Sequence, residues 1–200
     1  VFEKLHARCQ AAGNTRGAAA SSDVASWIAM FYWSRFHDPE RALKWAERIP
    51  PSYERELWRA TCLSTLRPGP EAVEAARKLI QMKPEAALSY FIASTAYLGA
   101  GNAEKAAEMA SKATERAPRS AMPRLMLANA LRLQGKFPES HAALVKATEV
   151  EPDAAIARYY LGLSLQGQGI LEEASRSFEN ALEIAERQPE RVHAGAQRDH

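Results

Sequence analysis

Residues 84–118 carry the sequence PEAALSYFIASTAYLGAGNAEKAAEMASKATERAP, and this stretch decides the fold. Two segments rich in apolar residues flank Gly101, and a proline stands at each end of the stretch. Apolar residues recur three and four positions apart in both segments, which is typical of amphipathic helices. Glycine suits the end of the first helix because it adopts the left-handed conformation without a side-chain penalty. The stretch therefore predicts a helix, a tight turn, a second helix and a proline stop.

The same pattern recurs along the chain with a period of 34 residues. The prolines that end successive units keep this spacing: Pro50, Pro84, Pro118 and Pro152. The glycines of the central turns keep it too: Gly101, Gly135 and Gly169. A fixed period of this size indicates a repeat array. Five units are predicted, at 19–52, 53–86, 87–120, 121–154 and 155–188, between an N-terminal helix and loop (1–18) and a polar tail (189–200).

Small residues occupy two further positions of the period. The eighth place of the units holds Ala60, Ser94, Ala128 and Gly162, and the twentieth holds Ala72, Ala106, Ser140 and Ala174. Two helices approach closely only where their facing side chains are small. We therefore expect these positions to form the contact between the two helices of each hairpin.

Two units depart from the pattern. In unit 53–86 the central turn is replaced by the Arg-Pro-Gly-Pro sequence of residues 67–70. In unit 19–52 Pro39 falls where the second helix should already be running, so that helix is predicted at 39–49. A compensating first helix is expected at 22–36, capped by Ser21 or Ser22, after a small-residue loop at 13–20. Residues 1–12 are interpreted as the remaining helix of a degenerate unit.

The composition and the scattered reactive residues favour no enzyme class. Lys and Arg total 26 against 24 Asp and Glu, so no basic surface typical of a nucleic-acid binder is indicated. Cys9 and Cys62 are too few for a disulfide framework and are interpreted as small buried hydrophobes. The five histidines share no metal-binding spacing, and we expect the loop residue His37 and the helical His141 to be solvated. The sequence therefore predicts no catalytic residues, no metal and no cofactor.

These repeats resemble the tetratricopeptide repeat family. The residues that match its loose signature in unit 155–188 are Leu161, Gly162, Gly169, Ala174, Phe178 and Ala181. Those in unit 87–120 are Tyr90, Tyr97, Gly101, Ala106, Ala113 and Pro118. The resemblance implies an all-α fold, a right-handed α-solenoid of antiparallel helix hairpins whose first helices line a concave groove.

The resemblance also implies where a partner would bind. The expected groove residues are Val24, Trp27, Phe31, Leu57, Leu88, Phe91, Met122, Leu125, Asn129, Ile156, Tyr159 and Leu163. Apart from Asn129 these side chains are apolar or aromatic, so the Lys, Asn and Arg clamp with which some family members hold carboxylates is not expected. Apolar and aromatic side chains suit a partner's apolar helix or extended segment. Part of the stripe is alternatively core, because first helices also pack on their neighbours.

The leading hypothesis is a non-catalytic scaffold that binds an apolar protein segment, with no nucleic-acid partner. Resemblance to bacterial family members suggests a role within a secretion, export or envelope assembly. The alternative is a homo-oligomeric scaffold that self-associates through its first unit, which is rich in aromatic residues. The chain begins at Val1 and is expected to be a processed or excised piece, which leaves an upstream membrane anchor open. A cytoplasmic location is expected, with a periplasmic or membrane-tethered domain as alternatives, and no membrane insertion by this segment.

Overall fold

The computed structural model describes residues 15–187 of the chain, and the side chains of residues 23–187. This part of the chain holds ten helices and no strand. In chain order they are α1 (Thr15–Arg35), α2 (Pro39–Ala46), α3 (Tyr53–Leu66), α4 (Pro70–Met82), α5 (Ala87–Gly99), α6 (Ala103–Arg116), α7 (Met122–Leu133), α8 (Phe137–Val150), α9 (Ala155–Gly167) and α10 (Leu171–Arg187). The odd-numbered helices are the first helices of their hairpins, and the even-numbered ones are the second helices.

The glycine turns between the two helices have the predicted conformation. Gly101, Gly135 and Gly169 have φ angles of 75°, 75° and 78°, in the left-handed region. At Gly135 the following amide of Lys136 donates to the Leu131 carbonyl at 3.0 Å, which satisfies a carbonyl at the helix end. The turns at the other two glycines are closed by the corresponding hydrogen bonds. These three glycines therefore end their helices as the sequence predicted.

Prolines follow the second helices just beyond their last residues. Helix α6 ends at Arg116, its C-cap residue is Ala117, and Pro118 comes next. The same order holds for Pro84 after α4 and for Pro152 after α8. Because the residue before a proline avoids helical backbone angles, each second helix stops at the same point of the period.

Small residues bring the two helices of each hairpin into direct contact. The residues of the eighth and twentieth places are all buried. The Ser94 hydroxyl donates to the Ala106 carbonyl at 3.0 Å, and the Ser140 hydroxyl donates to the Ala128 carbonyl at 2.8 Å. Each bond joins an eighth place to a twentieth place, so the predicted contact is confirmed.

The hairpins stack in a continuous row, which makes the molecule an α-solenoid. Each second helix packs against the first helix of the next hairpin, as α4 does against α5. Successive first helices also contact one another, from α1 to α9. Within residues 15–187 no second helix contacts another second helix. The first helices therefore lie along the inner side of the stack, and the second helices lie along its outer side.

The first hairpin differs from its prediction. Helix α1 begins at Thr15, so the expected loop at 13–20 is wrong from residue 15 onward. Ser21 and Ser22 lie inside the helix and do not cap it, because Ala18–Ala20 are strong helix formers that extend it toward the N-terminus. The first helix is longer than those of the regular units, as expected, but α2 ends at Ala46 rather than at Ile49.

Three predictions fall on the ends of the chain. They are the N-terminal helix at 1–12, the burial of Cys9 and the polar tail at 189–200. All three lie outside the residues that the structure describes.

Candidate functional site

Three apolar side chains form a row along the inner side of the stack. Leu88, Met122 and Ile156 each occupy the second place of a unit, on α5, α7 and α9. Their exposed fractions are nearly equal, at 45%, 46% and 48%. Side chains at this place lie in the first turn of each helix, and about half of each remains exposed. We call these three residues the groove row.

A cleft of about 340 Å³ lies between the start of α5 and the start of α7. Its lining is almost wholly apolar and comprises Ala87, Leu88, Phe91, Ala117, Ser120, Met122 and Pro123. Phe91 is half-buried and packs against the core formed by α3, α4 and α5. Leu88 and Met122 of the groove row thus lie on either side of one cleft, and the Phe91 side chain forms part of its wall.

One predicted groove residue is part of the core. Leu125 is buried, in the cluster that contains Leu144, Ala147 and Ala157. Leu125 lies at the fifth place, on the side of α7 that the next hairpin covers, so it is corrected from partner-binding to structural. Leu57, at the same place of α3, is half-buried against the preceding core cluster. The alternative that part of the stripe is core therefore holds at Leu125.

The polar side chains at the ninth place of α3, α5 and α7 are bonded within their own helices. Arg132 donates to the Asn129 side-chain oxygen at 2.9 Å, so that oxygen is already paired. The Thr95 hydroxyl donates to the Phe91 carbonyl at 3.2 Å, and the Thr61 hydroxyl donates to the Leu57 carbonyl at 2.8 Å. The inner surface therefore offers mainly apolar contact to a ligand.

A larger depression of about 600 Å³ lies at the C-terminal end of the stack. It is lined by Ala155, Ile156, Tyr159, Leu163, Phe178, Ala181 and Leu182. The Tyr159 and Phe178 ring centroids are 5.7 Å apart. We call this surface the end depression. It brings the predicted residues Ile156, Tyr159 and Leu163 together with two that were missed, Phe178 and Leu182 of α10.

Some aromatic side chains of the first hairpin lie in the core and others lie on the surface. Val24 and Tyr32 pack around the cluster that contains Trp45, which is buried. Trp27, by contrast, is 72% exposed, and Phe31 on the next turn is partly exposed. Trp58 is half-buried, and its indole N–H donates to the Ser26 hydroxyl at 3.3 Å. The exposed aromatic surface of this hairpin thus comprises Trp27 and Phe31 of α1 together with Phe36, which follows α1 and whose ring centroid lies 5.2 Å from that of Phe31.

The reactive side chains do not assemble into a catalytic or metal-binding group among residues 15–187. No cluster of three His, Cys, Asp or Glu that could hold a metal ion occurs there. Cys62 is buried as predicted, and burial raises the pKa of its thiol to about 12. His37 is exposed in the loop after α1, whereas His141 is half-buried, so its predicted solvation is corrected. The second places of α5, α7 and α9 thus stand out as exposed apolar positions that repeat with the period of the chain.

Comparison with known proteins identifies the class of this fold. The tetratricopeptide repeat model matches residues 69–121 and 125–189, which is more than half of the chain. The chain therefore belongs to the tetratricopeptide repeat family, whose members are generally protein-interaction scaffolds rather than enzymes. No curated protein sequence matches the chain.

Solved structures share the same architecture. TTC0263, a thermophilic TPR protein of Thermus thermophilus, is similar with 24% identity and a TM-score of 0.73, over 88% of this chain and 97% of that one. MamA 41-end from Desulfovibrio magneticus RS-1 has 18% identity and a TM-score of 0.69, over 84% and 96% of the two chains. A further MamA structure has 20% identity and a TM-score of 0.65, over 78% and 93%. At these identities the likeness concerns the fold. No helix of residues 15–187 is both long and apolar enough to cross a bilayer.

Proposed function

We propose that this protein is a non-catalytic scaffold that binds an apolar segment of a partner protein along the groove row. The observation that carries the proposal is the row itself, in which Leu88, Met122 and Ile156 are repeated at one place and equally exposed. Contiguous exposed apolar patches are typical of interaction surfaces. Because Leu125 is core, the binding surface is narrower than the stripe predicted from the sequence.

The geometry of the row defines which segments fit it. Packed neighbouring helices lie about 8–10 Å apart, so successive members of the row are separated by roughly that distance. An α-helical ligand covers about 10 Å with a step of seven residues. A ligand in the polyproline II conformation has three residues per turn and covers about 9 Å with a step of three residues, which keeps these side chains on one face. A suitable partner therefore carries apolar side chains either at every seventh position of a helix or at every third position of a polyproline II segment.

The apolar cleft supplies the deepest contact along the row. Leu88, Phe91 and Met122 can surround one large side chain of the ligand, as interface anchors are commonly held. Methionine adapts its shape to different occupants, which suits a site that holds flexible segments. Phe91 is half-buried and forms one wall of this cleft, whereas Leu88 and Met122 are exposed beside it.

A charge placed in the cleft tests the proposal. Affinity capture from native lysate should lose the partner when the bait carries Leu88→Asp. We expect a loss of about tenfold or more in affinity, because desolvating a carboxylate against apolar surface costs more than about 1.4 kcal/mol. A synthetic segment of the captured partner, tested as a helical and as an extended variant by calorimetry, would then identify which ligand conformation binds.

Leu171→Asp is the matched control. Leu171 is also an exposed leucine in the first turn of a helix, but it lines neither the cleft nor the end depression. Circular dichroism should show unchanged helicity in both variants. Retention of the partner by Leu88→Asp, or its loss from Leu171→Asp alone, would contradict the proposal.

Self-association is a second candidate, favoured by one observation. Trp27 is 72% exposed on the outward face of α1, although tryptophan is among the most strongly buried residue types on average. A large exposed aromatic side chain in a first hairpin can serve as an anchor for another copy of the chain. Such a scaffold would form homo-oligomers while its groove row stays free for a partner.

A further inference from the structure

A carboxylate lies at the N-terminal end of the groove row. Glu54 occupies the second place of α3, the place that Leu88 holds on α5. The hydroxyl oxygens of Tyr53 and Ser89, the residues next to these two, lie 3.0 Å apart. This hydrogen bond joins the starts of α3 and α5, so Glu54 and Leu88 lie at the same level on adjacent helices. The second places of α3, α5, α7 and α9 therefore present one acidic residue followed by three apolar ones.

Buried polar groups hold this carboxylate in place. Ser26 of α1 is 5% exposed, and its hydroxyl donates to the Glu54 Oε1 atom. The Ser26 oxygen in turn accepts from the Trp58 indole N–H at 3.3 Å. Consecutive hydrogen bonds of this kind polarise and strengthen one another. The Glu54 side chain is thus oriented by the protein although the residue itself is exposed.

The charge of Glu54 has no counterpart within the described part of the chain. Glu56, two residues further on, forms a salt bridge with Arg59 at 3.0 Å. By contrast, no basic side chain of residues 23–187 forms a salt bridge with Glu54, and its Oε2 atom carries no hydrogen bond there. An oriented carboxylate with one free oxygen favours a cationic ligand group, because hydrogen bonds between charged groups are the stronger ones.

We propose that the partner segment carries a lysine or arginine one step outside its apolar residues, and that Glu54 binds this basic side chain. This ion pair rests on the groove binding proposed above and adds the charge and the direction of the ligand. One step is seven residues in a helical ligand and three residues in a polyproline II ligand. The apolar residues of the segment then lie at Leu88, Met122 and Ile156.

The Glu54 carboxylate gives the groove row a direction. Leu88, Met122 and Ile156 are almost equally exposed and accept an apolar segment in either direction. Reversal of the segment would place its basic residue beyond Ile156, against the apolar end depression. Removing a charged group from water against apolar surface is costly. The basic end of the segment should therefore lie at α3, and a segment with an acidic residue at this end should be disfavoured by repulsion.

Peptide binding to the full chain, followed by fluorescence anisotropy, tests this ion pair. The probes are synthetic peptides with three leucines, in a helical form with the longer step and a polyproline II form with the shorter one. Each form carries either lysine or glutamine one step outside the leucines. The wild type should bind the lysine peptide about two- to fivefold more tightly, as expected for an exposed ion pair. This preference should shrink as sodium chloride is added, because salt screens exposed charges.

Variants of Glu54 separate the charge from the fold. Glu54→Gln keeps an oxygen that can accept from Ser26, so it should remove the preference for lysine and leave binding of the glutamine peptide unchanged. Glu54→Lys should reverse the preference, so that a peptide with glutamate at the same position binds more tightly than the lysine peptide. This gain of binding is a result that a folding defect cannot imitate.

Glu104→Gln is the matched control. Glu104 is also an exposed glutamate and the second residue of its helix, but α6 lies on the outer side of the stack. This variant should keep the wild-type preference for lysine. Loss of the preference in Glu104→Gln, or its persistence in Glu54→Gln, would overturn the proposal.

The wild type alone distinguishes failure of this ion pair from failure of groove binding. Equal binding of the lysine and glutamine peptides, with both lost in Leu88→Asp, would overturn the role of Glu54 and leave the groove row as the binding surface. Failure of every peptide to bind would contradict the groove row itself, and the ion pair with it.

Discussion

Single glycines fix the turn in three of the five hairpins of residues 15–187. Gly101, Gly135 and Gly169 have positive φ angles, and a methyl group added at any of them would meet no atom within 4 Å. The requirement for glycine is therefore conformational rather than steric. This is why the sequence alone predicted these turns: the constraint belongs to the backbone of one residue and does not depend on the rest of the fold.

Replacing one of these glycines should cost stability without disturbing the packing. Gly135→Ala should lower the free energy of unfolding by about 1–2 kcal/mol, the cost of the left-handed conformation for a residue with a Cβ. Gly135→Asn should cost less, because asparagine tolerates this conformation better. Urea unfolding followed by circular dichroism measures both. An alanine variant as stable as the wild type would show that the turn rearranges.

The buried thiol of Cys62 should make stability depend on pH at the alkaline end. Burial raises its pKa from about 9 to about 12, so the unfolded chain loses the thiol proton at a lower pH than the folded chain. The folded state then binds more protons than the unfolded state, and the free energy of unfolding falls as pH rises above about 9. Unfolding curves between pH 8 and 10.5 should show a steeper decline in the wild type than in Cys62→Ala. Parallel declines would contradict this assignment.

At the scale of the helix, regular units were predictable and the first hairpin was not. In the regular units glycines mark the ends of first helices and prolines mark the ends of second helices. Small residues mark, independently, where the two helices are in contact. In the first hairpin no such marker limits the start of α1. The helix therefore extends toward the N-terminus through Ala18–Ala20 and begins at Thr15. The predicted serine caps failed because local helix propensity extends through them.

Replacing a small residue between paired helices with a larger one should lower the stability of the fold. Ala128 is fully buried at the eighth place of its unit, and its carbonyl accepts from the Ser140 hydroxyl of the paired helix. Ala128→Leu should therefore lower the free energy of unfolding by about 2–3 kcal/mol through overpacking. Ala142→Leu is the control, because Ala142 lies on an exposed position of α8 in the same unit. Equal stability of the two variants would contradict a tight hairpin contact.

At the scale of the whole molecule, the candidate site was only partly predictable. The groove row follows from the period alone, because its members occupy the same place on successive helices. Burial of Leu125 depends on which side of α7 the next hairpin covers, and no local pattern encodes that. The end depression left no clear signal, because the place of Leu182 holds Thr148, Thr114 and Ile80 in the preceding units and is therefore not uniformly polar.

The contacts between hairpins have a mechanical consequence. Inner helices touch their successors, whereas the outer helices of residues 15–187 do not touch one another. Successive outer helices are therefore joined only through the inner helix that follows each of them along the chain. A change in the curvature of the solenoid can alter the distance between outer helices while the direct contacts between inner helices persist. Leu88, Met122 and Ile156 lie on those inner helices, so their spacing should vary less with curvature than the spacing of the outer surface.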